Sequence, residues 1–269
     1  MAEPRAAVLW LGGAPGAGKS TVAERLARRH GLRRYHADTR TWAHRDLALA
    51  QGVPAALRWE SADRWAAPVE ELLASALHSE RGPMVADDVR ALPAAPLTVA
   101  EGTVVTPGVA AALPGRAALW LLPTPELLEK RLTERELGPA PLALYRRLAA
   151  VIEREVLDAG APHLWVDGDT DAVAAVTTAW AGVLAAGPRA TTAAERRALL
   201  REANEGVVAQ YTAFFARPWT PDGPRDAVAV FSCECGDPDC TACVEWPVAA
   251  FPATGAPLTA PGHGAPAPD

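Results

Sequence analysis

Gly13-Ala14-Pro15-Gly16-Ala17-Gly18-Lys19-Ser20 is the stretch that decides how the rest of the chain is read. Before it, Ala6 to Leu11 is a continuous apolar run ending in Gly12-Gly13, as a buried parallel strand requires. After it, Lys19 to His30 places Val22, Ala23, Leu26 and Ala27 on one helical stripe, and Gly31 sits where a left-handed cap is wanted. A glycine-rich turn between strand and helix points successive backbone N–H groups inward as an anion nest, and the helix start adds its positive dipole end. In that setting residues 13–20 and Thr21 form a phosphate-binding loop, with Lys19 reaching the β- and γ-phosphates of a nucleotide and the Ser20 hydroxyl ligating Mg²⁺.

Working outward, Arg33 to Asp38 reads as a second strand ending in a carboxylate, and Leu97 to Ala100 as a third ending at Glu101. Ala117 to Leu122 gives a fourth strand and His163 to Val166 a fifth. Thr39 to Leu92 is expected to be mostly helical, with breaks at Gly52-Val53-Pro54 and Gly82-Pro83. Thr124 can cap a helix with Pro125 at its first position, Leu142 to Ala159 continues in helical register, and Asp171 to Ala186 closes the domain as one helix. Strands separated by helices imply an α/β three-layer sandwich around a five-stranded, mainly parallel sheet. Ligands of such sheets bind at the carboxyl ends of the strands, where Asp38, Glu101 and the glycine loop all fall.

The predicted organisation is a domain over residues 1–187, a linker at 188–192, and a small α+β module over 193–251. In that module one amphipathic helix, Ala193 to Phe215, precedes a cysteine-bearing segment, with Trp219, Trp246, Phe214 and Phe215 as its small core. Residues 252–269 are rich in Pro, Ala and Gly and read as a disordered tail.

Of the 269 residues 49% are apolar and 22% charged, the balance of a globular chain with a sizeable core. The net charge of −6 argues against a dedicated nucleic-acid binder. No stretch reads as a signal peptide, and Ala172 to Ala186 is too short for a membrane span, so a cytoplasmic protein is the expectation. Lysine occurs only at Lys19 and Lys130 while arginine is abundant, which makes the loop lysine the more informative.

Several side chains then become candidates. Asp38 can accept or position the proton of an attacking hydroxyl, or serve as the N-cap of the following helix. Glu101 can support Mg²⁺ through water, or be an ordinary strand-end carboxylate. Arg131 and Arg135, one helical turn apart, can swing over the phosphates, or pair with Glu129, Glu134 or Glu136 on an exposed face. Asp87 and Asp88 read as a solvated helix face, with a substrate role as the alternative.

This pattern resembles the small-molecule kinases of the P-loop NTPase class, particularly the zeta-toxin and chloramphenicol phosphotransferase-like group, some of whose domains carry an AAA-type ATPase label. The resemblance spans residues 5–187 and rests on the loop at 13–20, on Asp38, and on Leu121-Leu122-Pro123-Thr124-Pro125-Glu126 followed by Arg131 and Arg135. It implies an ATP-dependent phosphotransferase acting on the hydroxyl of a small molecule, with Asp38 as base and Arg131 or Arg135 as lid arginines. The nucleotide-kinase signature Asp-Gly-Phe-Pro-Arg is absent, so no acceptor follows. A regulatory nucleotide switch that signals to a protein partner through the C-terminal module is the alternative from another class.

Cys233, Cys235, Cys240 and Cys243 lie within eleven residues, spaced C-x-C-x4-C-x2-C. Four thiolates so placed can surround a tetrahedral Zn²⁺, and free thiols or a local disulfide are the other readings. The segment resembles a short C-terminal module of actinobacterial proteins in which the first three cysteines are the usual feature. That resemblance implies no definite activity.

Overall fold

The computed structural model describes residues 6–61, 63–220, 227–252 and 256–264. Five strands form one parallel sheet: β1 (Val8–Gly13), β2 (Arg33–His36), β3 (Thr98–Glu101), β4 (Ala117–Pro123) and β5 (His163–Val166), in the order β2-β3-β1-β4-β5. β1 is buried along its whole length, as its unbroken apolar run requires. It ends at Gly13, whose φ of 128° would be strained for any other residue and whose added Cβ would meet the Leu121 carbonyl at 2.0 Å.

α1 (Lys19–His30) begins and ends where the sequence places it, with Gly31 as a left-handed cap. The insert after β2 folds as a 3₁₀ turn (Ala37–Arg40), α2 (Thr41–Ala50), α3 (Pro54–Arg58), α4 (Val69–Ser75) and α5 (His78–Ala91). The expected break at Gly82-Pro83 is not there. Pro83 lies inside α5, early enough that its missing N–H leaves only a first-turn carbonyl unpaired, and the chain turns instead at Leu77, with φ 57°.

α6 (Pro107–Ala112), α7 (Pro125–Thr133) and α8 (Pro139–Asp158) follow. The Thr124 hydroxyl accepts from the Leu127 N–H at 3.4 Å and caps α7. The last helix of this domain is two, α9 (Ala172–Ala179) and α10 (Ala181–Ala186), meeting at Trp180, whose indole is buried beneath α1 and the sheet.

α11 (Ala193–Phe215) starts at a capping box in which Thr192 and Glu195 satisfy each other's backbone. It leads to a two-stranded antiparallel sheet, β6 (Val228–Ser232) and β7 (Cys243–Pro247). The segment read as a linker is tied down at both ends: Leu97 N–H donates to Pro188 O and Ala190 N–H to Gly31 O, both at 2.8 Å. α11 packs on β2, on the 3₁₀ turn and on α2, and Arg33 Nε donates to Glu202 at 3.0 Å.

The expected aromatic core of the module is also corrected. Phe214 and Trp219 pack on Trp42 of α2, with ring centroids 5.5 and 5.7 Å away, and Trp246 lies open at the surface. The module's own core is Ala229, Phe231, Val248 and Leu258; the alternation of β6 turns Ala229 and Phe231 inward, and Val248 and Leu258 pack against them from the segments that follow. Of the tail read as disordered, 253–255 and 265–269 lie outside the described residues, while 256–264 is packed. Leu258 is buried there, and its N–H donates to Glu234 at 2.9 Å. Leu258→Ala is expected to lower stability by about 2–4 kcal/mol in urea unfolding of the whole chain. A loss under ~0.5 kcal/mol would mean that this segment does not belong to the core.

Candidate active site

The parallel register brings the strand ends together around a cleft of about 700 Å³, lined by the glycine loop, Asp38, Arg81, Arg131 and Arg135. The loop is shaped for an anion. Gly16 and Gly18 hold positive φ, and a Cβ on Gly18 would stand 3.3 Å from the Arg131 guanidinium. Ala14 N–H donates to Leu121 O at 3.1 Å, which anchors the loop to β4. The Lys19 ammonium donates to Ala14 O at 2.8 Å. Burial pushes Lys19 below its ordinary pKa, a shift that Glu101 and Asp38 oppose.

Glu101 has no exposed surface, so its charge must be compensated locally. One oxygen accepts from Arg34 at 2.9 Å, and the other from the Ser20 hydroxyl at 3.3 Å. His36 is its register partner on β2 and points to the same face. The His36 imidazole Nε2 stands 3.4 Å from Glu101 and 3.5 Å from Asp38. It is a site residue that the sequence reading missed. The signal in the sequence was its place as the last residue of the second strand, two before Asp38.

Asp38 lies in the 3₁₀ turn and caps nothing; α2 begins after Arg40 with no side-chain cap. The Asp38 carboxylate is half exposed to the cleft. Desolvation would raise its pKa, but the hydrogen bond and charge of His36, with the charges of Arg81 and Lys19, hold it well below the usual carboxylate range. Arg81, buried in α5, donates to Ala37 O at 2.6 Å and fixes the turn.

Arg131 Nη1 donates to the Gly16 carbonyl, and Arg135 stacks on Tyr145 with its guanidinium 5.7 Å from the ring centre. Neither has an ion-pair partner among the described residues, and Glu129 is taken by Arg146 at 2.8 Å. Both arginines therefore face the cleft. The opposite wall is Trp42, Trp59, Trp65 and Arg45. Burial lowers Arg45 to about 10, with Glu60 opposing, and its guanidinium sits 5.1 Å over Trp59. Gln210 of α11 reaches this wall and accepts from the Trp42 N–H at 3.3 Å, so the C-terminal module closes one side of the cleft.

Asp88 is largely buried and lines a neighbouring cavity rather than the cleft of the phosphate loop. It accepts from Tyr35 at 2.7 Å and Arg40 at 3.1 Å and contacts His44 at 3.0 Å, while Asp87 pairs with Arg90 at the surface. Cys233, Cys235 and Cys240 are buried together, and Cys243 is exposed and outside their group. The fourth donor beside the three thiols is His263, from the segment that composition alone marked as a tail.

A parallel sheet with a strand–glycine loop–helix at its centre and an acid at the neighbouring strand end defines the P-loop nucleotide-binding class. Residues 8–155, 148 of 269, match the AAA domain family, and the chain belongs to that family. Among solved structures it is similar to a sugar kinase from Janibacter sp., at 20% identity and a TM-score of 0.43, covering 70% of this chain and 100% of that one. It is also similar to an uncharacterized protein from Eubacterium ventriosum, at 13% identity and a TM-score of 0.34, covering 66% and 98%. At these values neither likeness bears on what this chain does. No curated protein matches the chain. Among the described residues no helix is long and apolar enough to cross a membrane.

Asp88 carries a pH dependence. Desolvation opposes the shift, but the hydrogen bonds of His44 and Tyr35 and the charge of Arg40 bring its carboxyl down to about 2. Since that lies below the unfolded value near 4, its stabilisation is complete above about pH 4 and fades as pH falls toward 2. Acid unfolding of Asp88→Asn, followed by circular dichroism, is expected to lack this part of the transition.

Proposed function

We propose that the chain is an ATP-dependent phosphotransferase whose acceptor is the hydroxyl of a small molecule. The observation that carries this reading is Asp38: a half-exposed, ionised carboxylate held by His36 and Arg81, in the same cleft as the phosphate loop. A carboxylate with so low a pKa is a poor base toward a free alcohol. It can orient the hydroxyl as acceptor of its hydrogen bond and take the proton as the O–P bond forms.

The loop N–H groups and Lys19 would hold the β- and γ-phosphates, and Arg131 and Arg135 would offset charge on the transferring group. The acceptor oxygen attacks the γ-phosphorus, the bond to the β–γ bridging oxygen breaks, and ADP leaves with that electron pair. The Ser20 hydroxyl is an oxygen donor of the kind Mg²⁺ takes and would hold the ion, with the buried Glu101 supporting it through water. When bound, the ion would supply charge neutralisation to the phosphates. The wall of indoles and cations offers the acceptor apolar planes and donors, and the cleft volume suits a metabolite-sized molecule rather than a polymer.

The test is ATP consumption by the whole chain with Mg²⁺ across a panel of sugars, nucleosides and hydroxyl-bearing antibiotics. Lys19→Ala is expected to lose nucleotide binding and turnover together. Asp38→Asn is expected to keep ATP affinity within about threefold and to lose at least ~10²-fold in kcat. Slow hydrolysis independent of acceptor and indifferent to Asp38→Asn would overturn the assignment.

A further inference from the structure

Three thiols and one imidazole converge beside the carboxyl end of α1, away from the phosphate loop. The donor atoms of Cys233, Cys235, Cys240 and His263 all lie within 4.8 Å of one another. His263 Nδ1 stands 3.6 Å from the Cys233 sulfur and 3.4 Å from the Cys240 sulfur. Bonds of about 2.3 Å to sulfur and about 2.0–2.1 Å to nitrogen, set at tetrahedral angles, separate S from N by about 3.6 Å. The observed spacing is that of a four-coordinate site. We propose that these residues form a closed, structural Zn²⁺ site of Cys₃His type, and that Cys243 is not a ligand.

The surroundings suit the charge of such a centre. Three thiolates and Zn²⁺ sum to −1, and Arg28 of α1, itself buried, donates to Cys233 O at 2.8 Å and to Asp237 O at 3.5 Å. The Ala260 N–H points at the Cys233 sulfur, 3.3 Å away, the kind of donor that steadies a thiolate.

Between the first two cysteines, Glu234 is fully buried and fully used. It accepts from Asn204 at 2.8 Å, from the Leu258 N–H at 2.9 Å and from Arg201 at 2.8 Å, and its own N–H donates to Leu258 O at 2.8 Å. The fourth ligand thus arrives on a segment whose backbone is already fixed to the loop that carries the thiols. With all four positions taken by protein, no place is left for a water or substrate, which makes the site structural rather than catalytic. Its effect is to clamp the segment 256–264 to α1 and α11.

The experiment is metal analysis of the whole 269-residue chain, purified without chelator and then dialysed against a trace of zinc. Wild type, Cys243→Ser and Lys19→Ala are expected to hold about one zinc per chain, and His263→Ala and Cys240→Ser less than about a tenth of that. His263→Cys, which keeps a fourth donor, is expected to recover zinc. Should the depleted variants fail to fold, cobalt-loaded wild type keeps the question decidable: visible bands of a tetrahedral thiolate site, with one thiol free to react, support the proposal. Wild type without metal, a disulfide among Cys233, Cys235 and Cys240 in the folded chain, or zinc lost from Cys243→Ser as from His263→Ala would overturn it. Because Lys19→Ala leaves this site untouched, a failed kinase assignment and a failed zinc assignment give different results.

Discussion

A carboxylate with no exposed surface sits at the end of β3, and much of the cleft is arranged around it. Leaving Glu101 unpaired there would cost several kcal/mol. Arg34 and Ser20 meet that need by hydrogen bonds, tying β2 and the start of α1 to the centre, and the imidazole of His36, also on β2, lies 3.4 Å from Glu101 and 3.5 Å from Asp38 of the following turn. The parallel register makes this arrangement possible, because it sets His36 level with Glu101 and Glu101 level with Leu11 of β1, two residues before the glycine loop. Geometry that looks like a collection of separate catalytic parts is therefore one electrostatic cluster.

The same logic explains the insert. Its helices carry Arg45 and Arg81 into the interior, where each guanidinium donates to backbone carbonyls: Ala56 and Ser75 for the first, Ala37 for the second. These bonds hold the helices in place and leave positive charge facing the cleft. Asp88, with Tyr35, Arg40 and His44, steadies the turn from behind. Two acids adjacent in sequence thus have unrelated roles, one at the surface and one in a network.

How much of this was legible follows the range of the interactions concerned. The strands, α1 and α11 were readable because their signals are local: apolar runs for most of the strands, helical periodicity, and a glycine cap after α1. That the loop and Asp38 share one cleft was readable because parallel sheets put ligands at strand ends, and Arg131 and Arg135, which line the same cleft, lie one helical turn apart in the sequence. His36, Arg81 and Trp42 were not readable as a group, since they meet only through pairing between β2 and β3 and through packing of the insert. His263 was hidden for a different reason. A Pro- and Ala-rich segment has too little apolar bulk to fold alone, yet the buried Leu258 and its two backbone hydrogen bonds with Glu234 are enough once a partner surface exists.

The bonds from Pro188 to Leu97 and from Ala190 to Gly31 have a bearing on where this molecule comes apart. Each crosses the border that composition draws after residue 187, and the indole of Trp42 is shared across it by Phe214 and Trp219. Opening the C-terminal module would strip the cover from α2 and withdraw Gln210 from the cleft wall. The two portions should therefore exchange their amide protons as one cooperative unit, with the cleft wall as protected as the core of the sheet. Residue 187 separates two compositions, but it does not mark a place where the chain can be cut.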